Sequence, residues 1–296
     1  MVLTKLAIVV GAVALVAPPQ GSTPLPTPEA LLAKAAAAFE QNRQQDKFWN
    51  KTSRESWYVS DNRGFVVQRF PAVVTESVLR QDGTRCNAVV EWADAVPAYL
   101  RNGPEDSRCH AVDESTSEKF DVAALLANRR VQRKRGSSSN LELTVFEQSR
   151  RGRSNDPLLR CAAAIRANIR LDEATFFPLR LDGEVMDDGC DERLTAPPTY
   201  YGARPVMGPV SSTFRMGSTF RYEYQPQDRF GSADTKFWLL THWSYDQPVN
   251  WTLGNILIYW GRQVPYRSPI HGDRLIVNVD VTGEQFGVTS KVVIKK

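Results

Sequence analysis

Residues 237–245 read FWLLTHWSY, with apolar side chains at both parities of the run. Alternation along a strand places Phe237, Leu239, Trp243 and Tyr245 on one face and Trp238, Leu240 and His242 on the other. An antiparallel strand with one face in water shows one apolar set, whereas a strand apolar on both faces is covered on both. The segment is therefore expected deep inside a sheet, with core on one side and an apolar cavity on the other. Four tryptophans, Trp238, Trp243, Trp251 and Trp260, fall within residues 238–260. Trp238, His242, Trp243, Tyr245 and Trp260 are the expected ligand-contacting residues.

Further runs of the same type surround it: TFRMGSTFRYEY (213–224), LGNILIYWG (253–261), RLIVNVDV (274–281) and FGVTSKVVI (286–294). Gly217, inside the first, suggests a bulge. Nearer the start, Arg54–Ser60, Phe65–Phe70, Val73–Arg80 and Arg85–Trp92 alternate with period two. Turn chemistry at 61–64 (DNRG) and 81–83 (QDG) separates them. Thr27, Pro28 and Glu29 form a helix start, and the alanine-rich stretch from Ala30 to Asp46 is expected to be helical. A short helix is expected from Asp121 to Arg130. Another is expected after Asp156-Pro157, with Leu158, Cys161, Ala162, Ile165 and Ile169 on one face. Residues 182–212 read as a long loop pinned by Cys190. The fold class is thus α+β and strand-dominated: a large curved antiparallel sheet with an N-terminal helix and a few short helices.

The first 28 residues carry one charge, Lys5, followed by a twelve-residue run from Leu6 to Ala17. That run is too short to span a bilayer, which takes about 20 residues, and it fits a secretory signal. Five prolines in residues 18–28 make a stiff tether. The expected organisation is a signal peptide (1–17), a tether (18–28) and one large β-rich domain (29–296). Within that domain, 29–155 is the N-terminal part and 156–296 the aromatic-rich C-terminal part. Export to the periplasm or the cell exterior follows, with membrane tethering if the signal stays uncleaved. Four cysteines, Cys86, Cys109, Cys161 and Cys190, lie past this segment. An even number in an exported chain reads as two disulfides, and Cys86–Cys109 with Cys161–Cys190 is the favoured of three pairings.

Catalytic motifs of the G-x-S-x-G, H-E-x-x-H, G-x-G-x-x-G and P-loop kinds are missing from the sequence, and His110, His242 and His271 are its only histidines. No cofactor and no metal is expected. The carboxylates Asp187, Asp188, Asp191 and Glu192 lack the alternating spacing with which one loop wraps calcium. A formal net charge of +4 is too small to argue for nucleic acid. Basic residues concentrate locally: Arg129, Arg130, Arg133, Lys134 and Arg135 precede the turn GSSSN, and a strand at LELTVFEQS (141–149) follows. A hairpin with that charge suits an anionic membrane surface or an envelope protein, or else protects edge strands from pairing.

Signal, tether, N-terminal helix and then an antiparallel sheet with helices tucked against it: this order resembles the Lol-type lipoprotein carrier fold of Gram-negative envelopes. FWLLTHWSYD, ILIYWG and FGVTSKVVI look like the closing strands of such half-barrels. The resemblance covers the order of elements over most of the chain. The segments 93–118 and 182–212 depart from it, and no functional residue is carried over. It implies a curved half-barrel, and the two-sided apolar strands suggest binding rather than catalysis. The leading expectation is an exported envelope protein holding an apolar or lipid-like ligand in a curved sheet. An envelope scaffold using the basic hairpin is the second, and a hydrolase of envelope polymers the third.

Overall fold

The computed structural model describes residues 26–46, 48–69, 72–79, 85–92, 110–111, 120–127, 129–135, 141–151, 153–190, 200–201, 204–205, 215–228, 236–248, 256–259, 262–265 and 274–286. Helix α1 runs Pro28–Asp46. It starts where the sequence predicts, with the Thr27 hydroxyl accepting the Ala30 N–H at 3.2 Å. Its stripe of Leu31, Leu32 and Ala35 is buried. The chain then enters β1 (Trp49–Ser60), turns through Asp61 and Gly64, and continues as β2 (Val66–Arg69), β3 (Val73–Leu79), β4 (Arg85–Trp92) and β5 (His110–Ala111). The turn is built by Asp61, whose carboxylate accepts the N–H groups of Arg63 and Phe65. Gly64 supplies the positive φ of 85°.

Helix α2 (Val122–Leu126) is capped by Asp121 and is shorter than its predicted span. Strands β6 (Val131–Arg133) and β7 (Glu142–Val145) pair antiparallel, forming the expected basic hairpin. Helix α3 (Pro157–Ala164) starts on Asp156, whose carboxylate accepts from Leu158 and Leu159. It stops earlier than predicted, because residues 165–171 form β8 (Ile165–Leu171). The segment IRANIRL carries β-branched and aliphatic residues at period two, and Ile165, Ala167, Ile169 and Leu171 are all buried. A helical stripe over Ile165 and Ile169 misreads this alternation. Strand β9 (Pro178–Val185) also corrects the expectation of a loop from residue 182.

Strands β10 (Tyr200–Tyr201) and β11 (Arg204–Pro205) form a separate small ladder. The long C-terminal strands are β12 (Thr219–Asp228), β13 (Lys236–Pro248) and β16 (Arg274–Phe286), with β14 (Ile256–Tyr259) and β15 (Arg262–Pro265) paired to each other between them. Gly217 makes a turn at φ 80° before β12 rather than a bulge within it. The run 286–294 lies outside the described residues beyond Phe286.

Twelve strands make one open antiparallel sheet in the order β5-β4-β3-β1-β16-β13-β12-β9-β8-β7-β6, with β2 joined to β1. Helix α1 packs against α2, β6 and β13 on the inner face. The core between them holds Trp57, Val59, Leu125, Leu143, Ile169, Leu181, Phe220, Val277 and Val279. The chain is therefore a strand-dominated α+β fold of the open, half-barrel kind. Its N-terminal β1 and C-terminal β16 are neighbours across twelve register pairs.

Cys161 of α3 is bonded to Cys190, as the favoured pairing has it. Beside it, Arg153 donates to both oxygens of Asp187 at 2.8 Å. Burial alone would raise the Asp187 carboxyl. Hydrogen bonds from Arg153 and the Gly189 N–H, with the charges of Arg153 and Arg150, outweigh it and hold the group below its usual value. The folded carboxyl thus titrates below the unfolded one. Its contribution is complete above the ordinary carboxylate range and is lost as pH falls through the folded value. Thermal unfolding followed from pH 7 down to about pH 2 should show a decline below about pH 4 that Asp187→Asn flattens. The side chains of Cys86 and Cys109 lie outside the described residues.

Candidate functional site

Alternation in β13 breaks once. Glu223 of β12 faces His242, but the next residue, Tyr224, faces Leu240, so Thr241 is an extra residue in the ladder. A bulge of this kind shifts every later side chain to the opposite face. Trp238, Leu240, Trp243 and Tyr245 consequently share the inner face, and His242 turns outward. The sequence reading, which grouped Trp243 with Phe237 and Leu239, assumed an unbroken strand and is corrected here. Phe237 and Leu239 instead meet Trp49 in a separate small cluster, with the Trp49 and Phe237 rings stacked at 5.1 Å.

Trp238, Leu240 and Trp243 of β13 and Tyr222 and Tyr224 of β12 form one wall of a cavity of about 270 Å3. Phe39, Asn42, Arg43 and Asp46 of α1 form its roof, Phe120 and Val122 close one side, and Lys51 of β1 stands at the rim. Rings support one another behind this surface. Phe177 stacks on Trp238 at 5.3 Å and meets Tyr224 edge-on at 5.2 Å. Phe120 stacks on Tyr222 at 5.7 Å and lies 4.7 Å from Phe220. Such packing fixes the wall, because aromatic pairs add about 0.5–1.5 kcal/mol each beyond their area.

One amide ties helix α1 directly to the β13 backbone beside the cavity. Strand β16 last meets β13 at Asp280 opposite His242, so among the described residues Trp238 has no strand partner on that side. Asn42 takes its place: its Oδ1 accepts the Trp238 N–H and its Nδ2 donates to the Trp238 carbonyl, both at 2.8 Å. Opposite, Pro226 faces Trp238 in β12. Asn42→Ala leaves both backbone groups unpaired. We expect a loss of about 1–2 kcal/mol and faster hydrogen exchange at the Trp238 amide.

The rim is charged, and its groups are paired. Lys51 Nζ lies 2.5 Å from Asp46 Oδ2, and Arg43 Nε lies 3.0 Å from Glu40. The hydrogen bond from Arg43, then that from Gln44, holds the Glu40 carboxyl below its usual value. Tyr245 is 3% exposed, so it is core behind Trp243, 5.7 Å from that ring, rather than a contact residue. Burial first, then the charges of Glu55 and Tyr222, pushes its phenol well above the ordinary range.

His242 is the second correction. Its Nδ1 lies 2.8 Å from Asp280 Oδ1 on the outer face, away from the aromatic cavity. Trp251, Trp260 and His271 lie outside the described residues.

Arg129 is the third correction. It is 6% exposed and donates to the carbonyls of Phe146, Ala162 and Ile165. A brace of this kind is not a surface contact. Burial first, then the charge of Arg153, lowers its guanidinium to about 10. Arg133 donates to the Pro26 carbonyl at 2.7 Å, and Lys134 pairs with Glu142 at 3.3 Å. Arg130, exposed, lies over the Phe146 ring at 4.4 Å, and Arg135 is exposed.

No protein-family model and no curated protein matches the chain. Among solved structures, it is similar to a putative outer membrane lipoprotein-sorting protein domain from Vibrio parahaemolyticus, at 9% identity and TM-score 0.33. That match covers 88% of this chain and 95% of the other. It is similar also to a DUF1329 family protein from Desulfovibrio piger, at 10% identity and TM-score 0.33, over 86% and 93% of the chains. A LolA superfamily protein from Nitrosomonas europaea matches at 11% identity and TM-score 0.31, over 88% and 96%. At these identities and TM-scores they say nothing of a ligand, and the fold assignment rests on the strand pairing above.

Among the lining residues, Trp238 and Trp243 were legible in the sequence. Tyr222 and Tyr224 had a signal in FRYEY, where they alternate with Arg221 and Glu223. Phe39 follows Leu31, Leu32 and Ala35 at helical spacing in α1. Asn42, Lys51 and Phe120 had none, since each reaches the cavity through a tertiary contact.

Proposed function

We propose that this chain is a non-catalytic, exported envelope protein, residues 29–296 forming one domain, that holds an apolar, lipid-like ligand beneath α1. The supporting observation is the cavity itself, walled by five aromatic or aliphatic side chains of β12 and β13 and roofed by α1. Its volume of about 270 Å3 is just under the ~300–1,000 Å3 of sites for drug-sized ligands. It therefore suits a single chain or ring rather than a whole lipoprotein. Arg43, Lys51 and Asp46 at the rim would meet the polar end of such a ligand.

The test is uptake of a fluorescent fatty acid by the purified protein, read by energy transfer from Trp238 and Trp243. Leu240→Trp places a larger ring in the cavity and should weaken uptake about tenfold, ~1.4 kcal/mol. Uptake unchanged by Leu240→Trp would reject the site. The scaffold reading retains Arg130, Lys134 and Arg135 as its surface residues, but nothing in the hairpin favours it over the cavity.

A further inference from the structure

The outer face of the same sheet carries a second groove, of about 460 Å3, on the opposite side from the aromatic cavity. Its floor is organised by register. Asn168, Asp182, Arg221, Ser244 and Asn278 face one another in turn across β8, β9, β12, β13 and β16, and Ser56 of β1 continues the row beyond the groove. A second row, Arg166, Glu184, Thr219, Asp246, Ile276 and Tyr58, runs beside it across the same six strands. Five inter-strand gaps of ~4.8 Å make each row about 24 Å long. All but Ile276 offer hydrogen-bonding side chains.

Most of the charges are paired in the plane of the sheet. Arg221 Nε lies 2.7 Å from Asp182, which Arg180 also meets at 2.6 Å. Arg166 pairs with Glu147 at 2.9 Å, and Arg274 with Asp246 at 2.5 Å. Burial alone would raise the Asp182 carboxyl, but the hydrogen bonds and charges of Arg180 and Arg221 outweigh it and keep it ionised. The side chains of Tyr58, Thr219, Ser244 and Asn278 make no hydrogen bond among the described residues. What remains for a ligand is therefore chiefly hydroxyl and amide, with the exposed carboxylate of Glu184 in the second row and, at its end, the half-buried Tyr58 ring with the Arg69 guanidinium 5.8 Å over it.

We propose that this groove binds a neutral, hydroxyl-rich glycan chain lying across the strands. A linear polymer in that direction meets at least one fresh polar side chain at every strand, about once per sugar ring. Mutual pairing of the arginines and carboxylates disfavours a strongly charged ligand, because capturing one means breaking an existing pair. Tyr58, its ring already under the Arg69 guanidinium, supplies a phenol hydroxyl at the end of the row. The groove shares no lining residue with the cavity beneath α1, so the proposal stands whether or not that cavity binds lipid.

The experiment titrates the full chain with cellohexaose and with the N-acetylglucosamine hexamer by calorimetry. Wild type should bind at least one of them. The double variant Ser244→Ala/Asn278→Ala should weaken that binding by about tenfold or more, with the melting temperature and fatty-acid uptake unchanged. Tyr58→Ala, made separately, should weaken it as well. Failure of wild type to bind either hexamer overturns the proposal, as does a double variant that binds like wild type.

Discussion

Arg129→Met is expected to lower stability by about 3 kcal/mol, a fall of roughly 6–12 °C in melting temperature for a domain of this size. The side chain ties three segments together: the carbonyl of Phe146 just past β7, and those of Ala162 and Ile165 at the junction of α3 and β8. Methionine fills most of the volume but donates nothing, so it leaves these acceptors without their donor. Arg129→Lys keeps the charge. Yet an ammonium is a compact donor group, whereas the guanidinium reaches its acceptors from both sides of a planar fork. Lysine should recover less than half of the loss. A lysine variant as stable as wild type would show that charge, not geometry, is what Arg129 provides.

The second large effect is expected at Gly183. A Cβ built there comes within 2.1–2.9 Å of three atoms of the Phe220 ring, the residue opposite it in β12. Neither strand can retreat, because both are central in the sheet and paired on both sides. Gly183→Ala must then push the ring into Phe120, 4.7 Å away, and through it toward the cavity wall. Overpacking of this kind typically costs 1–3 kcal/mol. We place Gly183→Ala at about 2–3 kcal/mol, or roughly 5–10 °C, with reduced fatty-acid uptake. Phe220→Leu in the same chain should restore part of both, since the two sites share one contact. Purely additive losses would contradict the packing described.

Particular residues explain how much was legible in advance. The strands at 66–69, 73–79 and 85–92, the second half of β1 and the capped first helix follow from alternation and turn chemistry, while cysteine parity points to two bridges, of which Cys161–Cys190 belongs to the favoured of three pairings. Strand β8 did not, because Cys161, Ala162, Ile165 and Ile169 also satisfy a helical stripe, and α3 ends in a strand without an intervening loop. His242 was assigned to the wrong face for a different reason. One extra residue, Thr241, reverses the parity of everything after it, and no local signal in FWLLTHWSY announces a bulge. Arg129 sat in a run of cations whose charge was readable but whose depth was not. Burial of that residue depends on carbonyls 17 to 36 positions away.

The central claim is that the space beneath α1 is a ligand site and not a packing void. Native mass spectrometry of the protein purified without detergent from its native host tests it most directly. The account predicts an adduct of single-chain lipid mass on wild type that is diminished in Leu240→Trp. Bare wild-type protein, repeatedly obtained and unable to take up added fatty acid, would contradict it.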